Sequence, residues 1–236
     1  MQPVVQLLAD LVRIPSMNPM GRARTGREYT EEPVAHFVAG YLRDRGIEAK
    51  HQEVAPHRLN VLARIDAGAE RTILLEAHLD TVQADAMTVP PFDARVVDGR
   101  MQGRGACDTK GSLAAFMDAI CSLVAEHATF RYNVLFAAVA DEEYQFTGAR
   151  HAVAGGVRAD FGLCGEPTRL HIITAHKGVT RWKIRTSGQA AHSAYPDRGK
   201  NAIYAMGRVL AAVERHAHEL TRRAPHLLLG TPTLSV

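Results

Sequence analysis

Thr72-Ile-Leu-Leu-Glu-Ala-His78-Leu-Asp80-Thr-Val82 is the stretch that decides the fold. It is short, rich in Ile and Leu, and closes on polar residues, which reads as a buried strand. Side chains alternate along an extended backbone, so His78 and Asp80 point to one side and Leu79 to the other. An imidazole with a carboxylate two residues on suits a metal site, since one ring nitrogen binds the ion and the other donates to the acid. Such a triplet taken singly is more often an ordinary polar pair. Its meaning depends on whether other strands end the same way.

Two of them do. The apolar run Tyr132 to Ala140 ends in Asp141-Glu142-Glu143, and Asp160 to Gly165 ends in Glu166-Pro-Thr168. Between the first two strands lies Met101-Gln-Gly-Arg-Gly-Ala-Cys-Asp108-Thr-Lys-Gly111, which hands over to a helix from Ser112 to about Glu126. Its glycines resemble those of a phosphate loop, but the order Lys110-Gly111-Ser112 is wrong and the acid at 108 would repel phosphate. A helix through Ala149, Ala152 and Val153 follows the second strand and stops at Gly155-Gly156. Alternation of strand and helix argues for an α/β fold, with a mostly parallel-core sheet flanked by helices.

Toward the N-terminus, Val4, Leu7, Leu8, Leu11 and Val12 mark a helix over Pro3 to Arg13, stopped by Pro15. Asn18-Pro19 and Gly21 belong to a loop. Thr30 is expected to cap a second helix, which has acids and Pro33 in its first turn and closes at Gly46. Strands are expected over Ile47 to Val54 and Asn60 to Ile65, and a hairpin at Asp98-Gly99. From about Ala175 the pattern changes. Lys177 to Ser187 alternates as a half-exposed strand does, a turn carries His192, a helix runs from Asn201 to about Leu220, and Thr231 to Val236 begins another strand. The expected division is a catalytic metal-binding domain over 1–175 and a smaller α+β domain over 176–236.

In open α/β sheets, sites form beyond the carboxyl ends of the strands. One imidazole and several carboxylates meeting there repel strongly unless cations neutralise them. The mixed nitrogen and oxygen donors of His78, Asp108, Glu142, Glu143 and Glu166 suit zinc, with manganese or cobalt as alternatives. Composition narrows the partners. The chain has 236 residues, 46% hydrophobic and 22% charged, which is ordinary for a globular protein. A formal charge of +3 is too small for a nucleic-acid partner, and the basic patch Arg22-Ala-Arg24-Thr-Gly-Arg27 lacks aromatics and reads as a solvated loop. The three cysteines fit a reducing compartment, with Cys107 and Cys164 expected as buried free thiols and not ligands. An amphipathic start and no membrane-length apolar run exclude a membrane partner and place the protein in the cytoplasm.

Together these blocks resemble the M20 family of zinc aminoacylases and peptidases, in its acetylornithine deacetylase and succinyl-diaminopimelate desuccinylase branch. The matching residues are His78-Leu-Asp80-Thr-Val, Gly103-Arg-Gly-Ala-Cys-Asp108-Thr-Lys-Gly, Asp141-Glu142-Glu143, Gly165-Glu166-Pro-Thr, and Ala191-His192-Ser-Ala-Tyr-Pro with Gly199-Lys-Asn201. They stand in family order across nearly the whole chain. The resemblance implies a zinc exopeptidase-like catalytic domain and a lid or dimerisation domain from 176 onward.

The resemblance also implies roles. Two zinc ions bind, or cobalt or manganese. His78 holds one, Asp80 supports His78, Asp108 bridges both, Glu166 completes the first site and Glu143 binds the second. Glu142 is the general base that takes a proton from a metal-activated water, so that the amide of an N-acyl amino acid is hydrolysed. The peptide after Asp108 is expected to be cis. His192 would stabilise the oxyanion in the partner subunit of a homodimer, and Asn201 would bind the substrate carboxylate. Asp141 either binds substrate or caps the next helix, and Trp182 belongs to the core of the lid. In the family a later histidine completes the second site. The sequence stops at Val236, so it is expected to be a fragment that holds the first site better than the second. The alternatives are a dipeptidase or carboxypeptidase of the same family, or a non-catalytic binding and dimerisation module.

Overall fold

A computed structural model describes residues 2–236. The chain divides into two compact units, Met1–Arg169 and Leu170–Val236. In the first, helix α1 (Pro3–Val12) and helix α2 (Glu32–Arg43) precede strands β1 (Ala49–Ala55), β2 (Arg58–Ile65) and β3 (Thr72–His78). A short hairpin, β4 (Arg95–Val97) and β5 (Arg100–Gln102), leads to helix α3 (Lys110–Ala125). Strand β6 (Asn133–Val139), helix α4 (Thr147–Ala154) and strand β7 (Phe161–Cys164) complete the unit.

The five-stranded sheet has the order β1-β2-β6-β3-β7. Its core is parallel as expected, with β3 between β6 and β7, while β2 and β1 are added antiparallel at the other side. The register places Ile73 beside Val134, Leu75 beside Phe136 and Ala77 beside Ala138. These residues share one face and pack with Leu11 of α1, Val38 of α2 and Met117 of α3 in one apolar cluster. Period-2 patterning on the strands and period-3.6 patterning on the helices meet there, which is what makes the layers bury one another. Helix α4 lies on the opposite face, where Gln52 Nε2 donates to His151 O.

Local chemistry sets the boundaries. Gly46 is left-handed at φ +78°, and Ile47 N donates to Leu42 O at 3.0 Å, closing α2. Asp98 and Gly99 both have positive φ, as a two-residue hairpin loop requires. Thr30 is not the cap of α2. Its Oγ1 donates backward to Arg27 O, and the helix starts at Glu32, after a Glu31 that is buried against Arg58. The long-range ion pair fixes the start of the helix in place of a local hydroxyl.

In the second unit, helix α5 (Ala202–Thr221) forms as expected, after a single turn of 3-10 helix at Pro196–Arg198. The strands expected over Lys177 to Ser187 and Thr231 to Val236 do not form. Alternating residues take a strand only where a neighbour accepts their backbone bonds. The pairings described in this unit are isolated bridges, Gln189 with Lys200 and His226 with Gly230. Trp182 is correspondingly 70% exposed and not in a core. Among the described residues, no helix is long and apolar enough to cross a membrane.

Candidate metal centre

Parallel pairing brings the carboxyl ends of β6, β3 and β7 to one edge, with His78 opposite Val139 and Glu76 opposite Cys164. His78 is the last residue of β3 and is buried. Glu142 and Glu143 follow β6, Glu166 follows β7, and Asp108 stands at the entrance to α3. The Asp108–Thr109 peptide is cis. His78 Nε2 lies 3.0 Å from Asp108 Oδ1, 3.7 Å from Glu166 Oε1 and 3.9 Å from Glu142 Oε2. Ligand atoms of His78, Glu142 and Glu166 lie within 4.8 Å of one another, as do those of His78, Asp108 and Glu143.

The other ring nitrogen, Nδ1, is 2.8 Å from the main-chain oxygen of Asp80 and 3.7 Å from its carboxylate. A carbonyl only accepts, so Nδ1 carries a proton and Nε2 is the atom turned toward the acids. The Asp80 carboxylate, fully buried, accepts from the backbone N–H groups of Glu142 at 3.0 Å and Glu143 at 3.1 Å, and from Asn18 Nδ2 at 2.7 Å. It therefore holds the backbone of the two glutamates, while the bond expected from the imidazole to this carboxylate goes to the Asp80 main-chain oxygen instead.

Charge follows from this crowding. Burial works against an imidazolium, yet the bond to Asp108 and the fields of Asp80, Glu142 and Glu166 outweigh it and raise His78 to about 9. Burial first, then their mutual repulsion, pushes Glu142, Glu143 and Glu166 above the usual carboxylate range. The bond to His78 holds Asp108 below it. One imidazole facing four carboxylates at this range fits divalent cations: the donors are hard or borderline, close together, and short of positive charge.

A second layer was hidden from the sequence. Asp141, at φ +62°, accepts from Asn18 Nδ2, Arg58 Nη1 and Thr147 Oγ1, and its own N–H donates to Glu31 Oε1. Burial opposes its ionisation, but Thr147, Asn18 and Arg58 keep it below the usual value. It ties the loop to the first residue of the following helix through the Thr147 hydroxyl, and its carboxylate caps none of that helix's N–H groups, so the expected capping role is not seen. Asn60 clamps the same loop, accepting from Ala140 N and donating to Gly148 O. Lys110 is buried, with Nζ donating to Leu11 O at 3.1 Å and Ile14 O at 2.6 Å, and burial lowers it to about 7. Thr109 Oγ1 donates to Gly165 O. No local motif marks Asn18 or Arg58, and the glycine-rich block that contains Lys110 does not show its role, because each acts on residues far along the chain. Gly148→Ala tests the clamp. A Cβ there would collide with the backbone of Ala140 and with Asn60 Oδ1, so denaturant unfolding should show a loss of about 1–3 kcal/mol.

Cys107 and Cys164 are exposed, and only Cys121 is buried. Cys107 lies in the turn before α3 and Cys164 on the exposed edge strand β7, where its Sγ donates to Glu76 Oε2. His192 and Asn201 belong to the unit 170–236. His192 is exposed in a turn, with Nδ1 accepting from Ala194 N. Asn201 caps α5, its Oδ1 accepting from Ile203 N at 2.8 Å and Tyr204 N at 3.1 Å.

Peptidase family M20/M25/M40 matches residues 74–233. The chain is 36% identical over 207 residues to an acetylornithine deacetylase of Photorhabdus laumondii, covering 85% of this chain and 52% of that protein. It is 32% identical over 238 residues to an acetylornithine deacetylase of Proteus mirabilis, covering 98% and 60%. The chain spans about half the length of the curated relatives it matches. Among solved structures it is similar in fold to human carnosine dipeptidase 1, with TM-score 0.59, 19% identity, and 79% and 40% of the chains covered. A tripeptidase of Staphylococcus aureus gives TM-score 0.58 at 21% identity, over 89% and 56%.

Proposed function

The chain belongs to peptidase family M20/M25/M40, and from that premise we propose that the protein is a metal-dependent hydrolase of the amide bond of an N-acyl amino acid. The observation that carries the reading is the gathering of His78, Asp108, Glu142, Glu143 and Glu166 at one edge of the sheet. Relatives named acetylornithine deacetylase favour an acyl amino acid over a peptide as substrate.

In this proposal His78 Nε2, Asp108, Glu143 and Glu166 hold two divalent ions, zinc first among them. Such ions acidify a water and polarise a carbonyl when bound. Asp80 fixes the imidazole through its main-chain oxygen and the two glutamates through its carboxylate. Glu142, raised by burial before any other cause and a third exposed, is suited to take a proton at Oε2 and return it to the leaving amine. His192, in a partner copy of a homodimer, and Asn201 are the residues proposed to meet the oxyanion and the substrate carboxylate. The cytoplasm is the proposed compartment, in keeping with three free thiols.

The test is hydrolysis of N-acetylornithine and a panel of N-acyl amino acids by the full-length protein loaded with zinc. Turnover that vanishes on chelation and returns with metal supports the reading. A fully loaded protein inert towards every acyl amino acid but active on dipeptides would move it to a peptidase, and inertness towards both would make it a binding module.

Zinc uptake should also depend on pH. Metal must displace a proton from a His78 that titrates at about 9 in the metal-free protein, so calorimetric affinity should rise between pH 6.5 and 9 and level off above. The sign for stability is opposite. A folded value above the unfolded one stabilises the metal-free chain below pH 6.5, and that contribution fades as pH rises through 9. Affinity that falls as pH rises over this window contradicts the assignment of His78.

A further inference from the structure

We propose that Asn18 is a positioning residue for Glu142 and Glu143, acting through the carboxylates of Asp80 and Asp141. It rests on the metal-centre reading only for what the two glutamates do, since the geometry stands without it.

Asn18 is fully buried between the two acids. Its segment runs beside the end of β3: Met17 bridges Thr81, Asn18 N donates to Thr81 O at 2.7 Å, and Thr81 N donates to Ser16 O at 3.0 Å. Ser16 Oγ donates to Leu79 O at 2.7 Å. Asn18 Oδ1 accepts from Met20 N at 2.9 Å, and its main-chain oxygen accepts from Gln83 Nε2. The amide orientation is therefore determined. Met20 N needs an acceptor, while the carboxylates facing the other end can only accept. Both hydrogens of Nδ2 are used, one toward Asp80 Oδ2 at 2.7 Å and one toward Asp141 Oδ1 at 2.8 Å.

A single amide group thus joins two buried acids that would otherwise repel each other. Each acid controls one part of the glutamate loop. Asp80 receives the N–H groups of Glu142 and Glu143, and Asp141 sits directly before them in a left-handed conformation, braced by Arg58 and Thr147. Removing the amide leaves Asp80 free to turn away from those N–H groups and lets Asp141 shift with the loop. The side chains of Glu142 and Glu143 start from that backbone, so their carboxylates lose their fixed distance to His78.

Amide hydrogen exchange on the metal-free full chain, together with calorimetric zinc titration, tests this. Asn18→Ala should speed exchange at Glu142 and Glu143 at least about tenfold more than in β6, and weaken zinc about tenfold, as loss of supporting contacts around ligands does. Asn18→Ser, which can donate to only one of the two acids, is read on the same amides should the alanine variant not fold. Unchanged exchange at both amides in a folded variant overturns the proposal. So does an equal loss of protection throughout β6, which marks a general structural role, or faster local exchange with unaltered zinc affinity. A wild-type chain that takes up no zinc while its variants show the local exchange effect supports the positioning role and overturns the metal centre instead.

Discussion

Glu142→Gln is expected to lower hydrolysis of an N-acyl amino acid by the full-length protein about 10³-fold, the scale of a lost general base. Glutamine keeps the size of the side chain and its backbone N–H, which Asp80 accepts at 3.0 Å, so the loop and the zinc content should be preserved. What is lost is a carboxylate able to hold a proton. Glu143→Gln is the companion. It sits in the group formed with His78 and Asp108, and its neutralisation should release metal as well as activity. Metal analysis alongside turnover separates the two positions. Should Glu142→Gln lose its zinc while Glu143→Gln keeps it, the roles of the neighbours are exchanged.

Asp80→Ala is expected to cost about 3–5 kcal/mol in urea unfolding of the metal-free chain. Three donors lose a buried acceptor: Glu142 N, Glu143 N and Asn18 Nδ2. Each buried donor left without a partner costs about 1–3 kcal/mol. Relief of repulsion among the neighbouring acids subtracts from the sum, which keeps the total below the additive figure. Asp80→Asn should cost less, because its oxygen, placed where Oδ2 stands, still accepts from Asn18 Nδ2 and Glu143 N, and only the Glu142 N–H loses its acceptor. A loss under about 1 kcal/mol for the alanine variant would mean that the Asp80 carboxylate does not hold the loop.

The parts of this arrangement that the sequence reveals are those in which chemistry follows directly on a local pattern. The apolar runs before His78, Asp141 and Glu166 each give a parallel strand, and strand ends are where acids and an imidazole can gather; the third, expected to be buried, lies exposed at the edge of the sheet. Asp98-Gly99 specifies its hairpin by its own backbone preferences. Contacts between residues distant in the chain leave no such trace. Asn18 reads as a loop residue from its neighbour Pro19, yet it joins acids 62 and 123 positions away. Glu31 reads as an acid at a helix start, and its partner Arg58 lies 27 residues on. The alternation in Lys177 to Ser187 misleads for the converse reason: period-2 patterning states which side a residue would face, not which strand stands beside it.

X-ray absorption at the zinc edge of the loaded protein reads the donor set directly. The prediction is a shell of nitrogen and oxygen only at about 2.0–2.2 Å, with imidazole scattering that His78→Ala weakens. A sulfur shell near ~2.3 Å, which would implicate Cys107 or Cys164, or a spectrum unaltered by loss of His78, would contradict it.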